Sequence, residues 1–235
     1  MILKWILLVV FGCLLGSVMF CNLIARKFGK KDLRKVSQDG NPGAANVFWY
    51  CGKKLGILAL SLDVLKGLLP VILARIVMMT EADVAGGGTG FFDAGFWRAG
   101  AEASGSCWFA AVMLAPVLGH AFPIFEKFKG GKCISTSLGV MAGLLGLSPA
   151  FLVLGGLDVF FSFVAKIKIG NVRALVFFSL FTFVMAVICA QTRQYAIFGG
   201  CALISVVAIY KHLPLMAGSK VSDNKVSGNK KKGKK

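Results

Sequence analysis

Apolar runs of up to twenty or so residues, broken only by short charged or glycine-rich stretches, recur along this chain and restrict its fold more than any other feature. Hydrocarbon offers no water to peptide groups, so a segment crossing it must be helical, and roughly 20 residues are needed for a core ~30 Å thick. The runs are Trp5–Leu23, Leu55–Met79, Cys107–Phe125, Cys133–Leu145, Ala150–Val164, Ala174–Ala190 and Tyr195–Tyr210, the fourth and fifth being short. They predict an all-α polytopic membrane helix bundle of about seven transmembrane helices. Composition agrees, because 57% of residues are hydrophobic and only 16% charged, against roughly 45–50% and 25% in soluble domains. The first run resembles a signal peptide, but only Lys4 precedes its core and no small-residue cleavage site leads into a soluble domain, so it reads as a retained helix.

The formal net charge is +17, yet the basic residues sit in short blocks between apolar runs. That pattern points to membrane topology rather than to a nucleic-acid partner. Lys and Arg concentrate in alternate connections: eight in residues 26–54, three each in residues 126–132 and 166–173, and eight from Lys211 onward. The opposite loops hold only Arg98 and Arg193. Since cytoplasmic loops carry the basic excess, the N-terminus is expected outside and the C-terminus in the cytoplasm, which requires an odd number of spans. Residues 1–212 read as the membrane domain and 213–235 as a basic, disordered cytoplasmic tail drawn to anionic headgroups. The Gly86–Gly90 stretch reads as a flexible outer connection, and no internal repeat of the transporter kind is visible.

Two polar segments in the basic loops are candidates for chemistry. The first runs from Asp32 to Asn46, where glycines such as Gly43 allow close approach of backbone N–H groups to an anion. Asn41 and Asn46 can donate amide hydrogen bonds there, and Arg34 can clamp a phosphate or carboxylate. The second runs from Gly119 to Thr136. Lys129, Gly130, Gly131 and Lys132 precede Ser135 and Thr136 at the start of a helix, whose free N–H groups attract phosphate. It is not a Walker loop, because the G-x-x-x-x-G-K-[ST] spacing is absent.

Asp63 and Lys66, three apart in a membrane helix, are expected to pair with each other or reach the polar loop. His120 is a candidate base, or a hydrogen-bonded structural histidine, and Asp158 is an unexplained polar residue in the fifth run. The seven cysteines form no C-x-x-C and have no histidine at ligand spacing, so neither a metal nor another cofactor is expected. No H-x-x-x-x-D motif occurs. Phosphate binders without a protein nucleophile suggest catalysis by positioning and charge stabilisation.

These residues resemble the bacterial acyl-phosphate:glycerol-3-phosphate acyltransferases, small seven-helix enzymes of the cell inner membrane. The likeness runs through Gly16-Ser17, Asp32-Leu33-Arg34, Gly40-Asn41-Pro42-Gly43-Ala44-Ala45-Asn46, Gly52-Lys53-Lys54, Asp63 to Gly67, Leu118-Gly119-His120 and Phe128 to Lys132. It implies transfer of a fatty acyl group from acyl phosphate to the 1-position of glycerol 3-phosphate, forming lysophosphatidic acid in the first step of phospholipid synthesis. On that resemblance Lys129 and Lys132, with the N–H groups of Gly130 and Gly131, would hold the phosphates, and Arg34 and Asn46 would orient glycerol 3-phosphate. The attacking hydroxyl would lose its proton to the acyl phosphate or to His120. This chain has Asp39 where the family has a serine and Cys133 where it has a glycine, and Lys211 to Met216 lacks the asparagine of the family's terminal motif. The rival readings are a transporter for a small phosphorylated anion and a family member that has lost catalysis. Oligomeric state is not legible.

Overall fold

The computed structural model describes residues 2–84, 106–144, 149–165 and 170–229. The Gly86–Gly90 stretch, most of the Gly146–Pro149 turn, Lys166 and Lys168 lie outside them. The described elements are all helical: α1 (Ile2–Ser17), α2 (Phe20–Lys27), α3 (Leu33–Val36), α4 (Ala44–Cys51), α5 (Lys53–Val84), α6 (Ser106–Ala121), a 3-10 turn (Ile124–Glu126), α7 (Ile134–Gly143), α8 (Ala150–Val159) prolonged by a π turn (Phe160–Val164), α9 (Gly170–Thr192) and α10 (Tyr195–Asn229). The last helix runs on into the segment read as a tail.

Among the described residues five stretches are long and apolar enough to cross a bilayer: Ile2–Lys27, Lys53–Met78, Cys107–Glu126, Asn171–Thr192 and Tyr195–Leu213. The fourth and fifth apolar runs form the shorter helices Ile134–Gly143 and Ala150–Ser162. At 1.5 Å per residue the former reaches only ~15 Å, about half the hydrocarbon thickness. The first run is not the single helix its hydropathy predicts, because α1 ends at Ser17 and α2 begins at Phe20. A carbonyl released at such a break needs a donor. Lys66 Nζ supplies it, donating to the Val18 carbonyl at 2.7 Å.

Lipid gives no hydrophobic drive between helices, so they associate through close packing over small residues. Where α5 crosses α7, a Cβ on Gly67 would stand 2.2 Å from the Thr136 carbonyl oxygen, and one on Gly139 would stand 2.0 Å from that of Val64. Gly16 and Gly119 play the same part between α1 and α6. The first of these contacts fixes the start of α7, and hence the lysine-glycine loop before it, against α5. Phe109, Met113, Val140, Phe177 and Phe181 belong to the main core, whereas Cys21, Ile24, Leu33, Val47 and Ala59 form a smaller one. That smaller core seats α3 and α4, and so anchors the first polar loop.

Candidate active site

The first polar loop is organised by two aspartates. Asp32 caps α3, its Oδ1 accepting from the Arg34 N–H at 3.2 Å, while Arg26 Nη2 donates to its Oδ2 at 3.0 Å. Asp39 gathers the turn that follows. Its Oδ1 accepts from the Asn41 N–H at 3.2 Å and from Asn46 Nδ2 at 2.9 Å, and Asn46 Nδ2 also donates to the Asn41 carbonyl at 2.7 Å. Gly43 lies beside that turn at the start of α4, where a Cβ would come within 2.7 Å of Asn41 Nδ2.

The second loop leaves α6 through two residues in the left-handed region, Lys127 (φ 53°) and Phe128 (φ 60°), and folds back on the helix end. The Gly131 N–H donates to the His120 carbonyl at 3.1 Å. Only glycine fits this return: a Cβ on Gly130 would lie 2.0 Å from the His120 carbonyl oxygen, and one on Gly131 would lie 2.4 Å from His120 Nε2. Cys133 has φ 66°, a conformation that costs an L-residue roughly 1–2 kcal/mol. Its buried side chain lies with Sγ 3.7 Å from the Val117 carbonyl.

Two ion pairs join these loops across more than ninety residues of sequence. Arg34 Nη1 donates to Glu126 Oε2 at 2.7 Å, and Arg34 Nη2 donates to the Lys129 carbonyl. Lys132 Nζ donates to Asp39 Oδ2 at 2.8 Å. Burial raises the Asp39 carboxyl, but the hydrogen bonds from Lys132 and Asn46, the Lys132 charge and the Asn41 N–H outweigh it and hold the group below the ordinary carboxylate range. Beside the second pair opens a cavity of about 710 Å³.

Asn46 and Lys132, both expected in the site, line that cavity, together with Gln38, Asp39, Trp49, Tyr50 and Asn171. Asn41, Gly43, Gly130 and Gly131 shape its surroundings without lining it. Arg34 is turned to Glu126, Lys129 is exposed on the loop, and Ser135 is half-buried in the first turn of α7. His120 is 3% exposed and sits beneath the glycine loop with Nδ1 4.0 Å from Asp63 Oδ2. The expected Asp63–Lys66 pair forms at 3.0 Å inside the bundle, with both side chains essentially buried. Cys21 Sγ also contacts Asp63 Oδ2 at 3.1 Å.

Sequence reasoning did not single out Gln38, Asp39, Trp49, Tyr50 and Asn171 as lining the cavity. The aromatic pair ending α4 and the asparagine opening α9 next to a basic loop were the available signals. His212, from the terminal motif, is buried near the Lys132–Asp39 pair, its Nδ1 2.7 Å from the Ala208 carbonyl.

The family model of glycerol-3-phosphate acyltransferases matches residues 6–217. The chain belongs to the glycerol-3-phosphate acyltransferase family. It is 36% identical over 202 residues to the glycerol-3-phosphate acyltransferase of Geobacter sulfurreducens, which covers 85% of each chain. The crystal structure of PlsY (YgiH), an integral membrane glycerol 3-phosphate acyltransferase, in its glycerol 3-phosphate form is similar with a TM-score of 0.66 and 29% identity over 93% of both chains. The lysophosphatidic acid form gives a TM-score of 0.60 at 28% identity, again over 93% of both chains. Like these relatives, this family member is an integral membrane protein with several helical spans, and its place is in phospholipid synthesis.

Proposed function

We propose that this glycerol-3-phosphate acyltransferase takes its acyl group from acyl phosphate and places it on the 1-hydroxyl of glycerol 3-phosphate, releasing lysophosphatidic acid and inorganic phosphate. The hydroxyl oxygen attacks the acyl carbonyl carbon, a new C–O ester bond forms, and the bond between that carbon and the phosphate oxygen breaks. The hydroxyl proton leaves with the phosphate as hydrogen phosphate, so no protein base is needed. Lys132 neutralises the charge that gathers on the departing phosphate, and Asn46 orients the acceptor. Lys129, exposed on the loop, steers phosphates to the mouth, whereas the Gly131 N–H, expected from the sequence to hold phosphate, is taken by the His120 carbonyl.

Arg34 acts as a positioning residue, since its bonds to Glu126 and the Lys129 carbonyl tie the two loops together. His120 supports the glycine loop from behind through its carbonyl. The observation that carries the reading is the convergence of Asn46 and Lys132, from loops remote in sequence, on one cavity of about 710 Å³, within the ordinary size range of small-molecule sites.

In the membrane, the same reading has seven apolar segments, the two short ones included, with the N-terminus outside, the C-terminus cytoplasmic and residues 213–235 as a basic appendage at the inner surface. The alternating Lys and Arg content of the loops supports that orientation. The test is phosphate release by the purified, detergent-solubilised chain from palmitoyl phosphate, with and without glycerol 3-phosphate. Release should require glycerol 3-phosphate and fall by about 10²–10³-fold in Lys132→Ala, the scale for losing one preorganised charge-stabilising donor. Wild-type turnover in Lys132→Ala would refute the assignment, and no release by the folded wild type would favour a lapsed enzyme.

A further inference from the structure

Among the described residues lining the cavity Asp39 is the one carboxylate, an unfavourable group where phosphate dianions are to bind. Its oxygens are held by an ammonium, a side-chain amide and a backbone N–H: Lys132 Nζ at 2.8 Å, Asn46 Nδ2 at 2.9 Å and the Asn41 N–H at 3.2 Å. That donor set is one a phosphate would use. The Lys132 and Asp39 side chains remain 18% and 35% exposed, so solvent and ligand reach the pair. The Asp63–Lys66 pair, at 1% and 0%, is closed to both.

We propose that Asp39 is an internal occupant of the phosphate cradle: a phosphorylated substrate takes Lys132 and Asn46 from the carboxylate, which swings out, so Asp39 sets the affinity for phosphate-bearing ligands. The inference rests on the acyl-transfer reading only in taking glycerol 3-phosphate as the ligand. A part-exposed ion pair is worth up to ~1 kcal/mol, so removing the competitor should tighten binding by about fivefold.

The experiment is calorimetric titration of the full-length chain in detergent with glycerol 3-phosphate alone, for wild type, Asp39→Asn, Asp39→Ser and Asp39→Glu. The Asn and Ser variants should bind about fivefold tighter than wild type and the Glu variant no tighter. In turnover with palmitoyl phosphate, KM for glycerol 3-phosphate should fall in parallel. Unchanged or weaker binding in both neutral variants would overturn the proposal. So would a collapse of kcat at unchanged affinity, which would make Asp39 a proton acceptor, or failure of both neutral variants to fold, which would make the pair structural. A wild type that binds glycerol 3-phosphate but releases no phosphate would sink the acyl-transfer reading, while tighter binding by the neutral variants would still uphold this one.

Discussion

Replacing Gly130 by alanine should damage the site more than the addition of one methyl group suggests. The new Cβ would stand 2.0 Å from the His120 carbonyl oxygen, 2.5 Å from that of Ala121 and 2.6 Å from Pro123 Cδ. A comfortable C···O contact is about 3.3 Å, so something must move by roughly 1.3 Å. The obstacles are backbone oxygens at the end of α6 and a proline ring, none of which can rotate away; the loop itself must shift. Overpacking of this kind costs about 1–3 kcal/mol, and losing the Gly131 N–H bond to His120 adds about 1 kcal/mol. Lys132 follows two residues later and moves with the loop, and a ~1 Å displacement of a positioning group is worth about 10²-fold in rate. Thermal unfolding and palmitoyl phosphate turnover in one detergent should therefore show a stability loss of about 2–4 kcal/mol and about a hundredfold loss of kcat/KM. Gly156→Ala, with nothing within 4 Å of its added Cβ, serves as the control and should behave as wild type. Turnover within about threefold of wild type at an unchanged unfolding temperature for Gly130→Ala would refute the close-approach argument.

Asp63→Ala strands the Lys66 ammonium inside the bundle and should cost about 3–5 kcal/mol; Asp63→Leu combined with Lys66→Met removes that charge but also the donor to the Val18 carbonyl, so it should recover only part of the loss; equal losses in thermal unfolding would contradict a buried pair. Gly139→Leu should force α5 from α7 and abolish the folded species in detergent, as judged by size-exclusion elution, and a monodisperse variant would disprove the tight crossing. The Asp39 carboxyl titrates below its unfolded value of about 3.9, facing Lys132 and, through the field, His212. Its stabilisation is therefore complete above about pH 4 and lost as pH falls through the folded pKa. Asp39→Asn should flatten the acid-unfolding curve below about pH 4, and an identical curve would exclude Asp39 as a contributor.

Much of the fold was legible in the sequence because hydropathy is local. The segments at Leu55–Met79, Cys107–Phe125 and Tyr195–Tyr210 needed only a count of consecutive apolar side chains; the first and last lie within single helices, and the second is helical as far as Ala121. The break after Ser17 was not legible, since the apolar run continues through it; what makes it tolerable is Lys66, forty-eight positions away. The site divided in the same way. Lys132 and Asn46 stood out by residue type and glycine context, and both reach the cavity. Arg34 stood out as strongly, yet it faces Glu126, and nothing local to either residue announces that pairing. Asp39 looked like a substitution in a motif until it was seen against Lys132.

Membrane residence, the positions of the apolar segments and the two phosphate-suited loops follow from the sequence alone, because burial in lipid, charge placement and glycine content are properties of short stretches. Which partners those loops chose was decided only by the tertiary structure. The close crossing of α5 with α7 and the return of the glycine loop onto the end of α6 place Lys132 beside Asp39 and His120 behind Gly131. Contacts of that kind depend on the relative placement of helices distant in the chain, and no local periodicity encodes it.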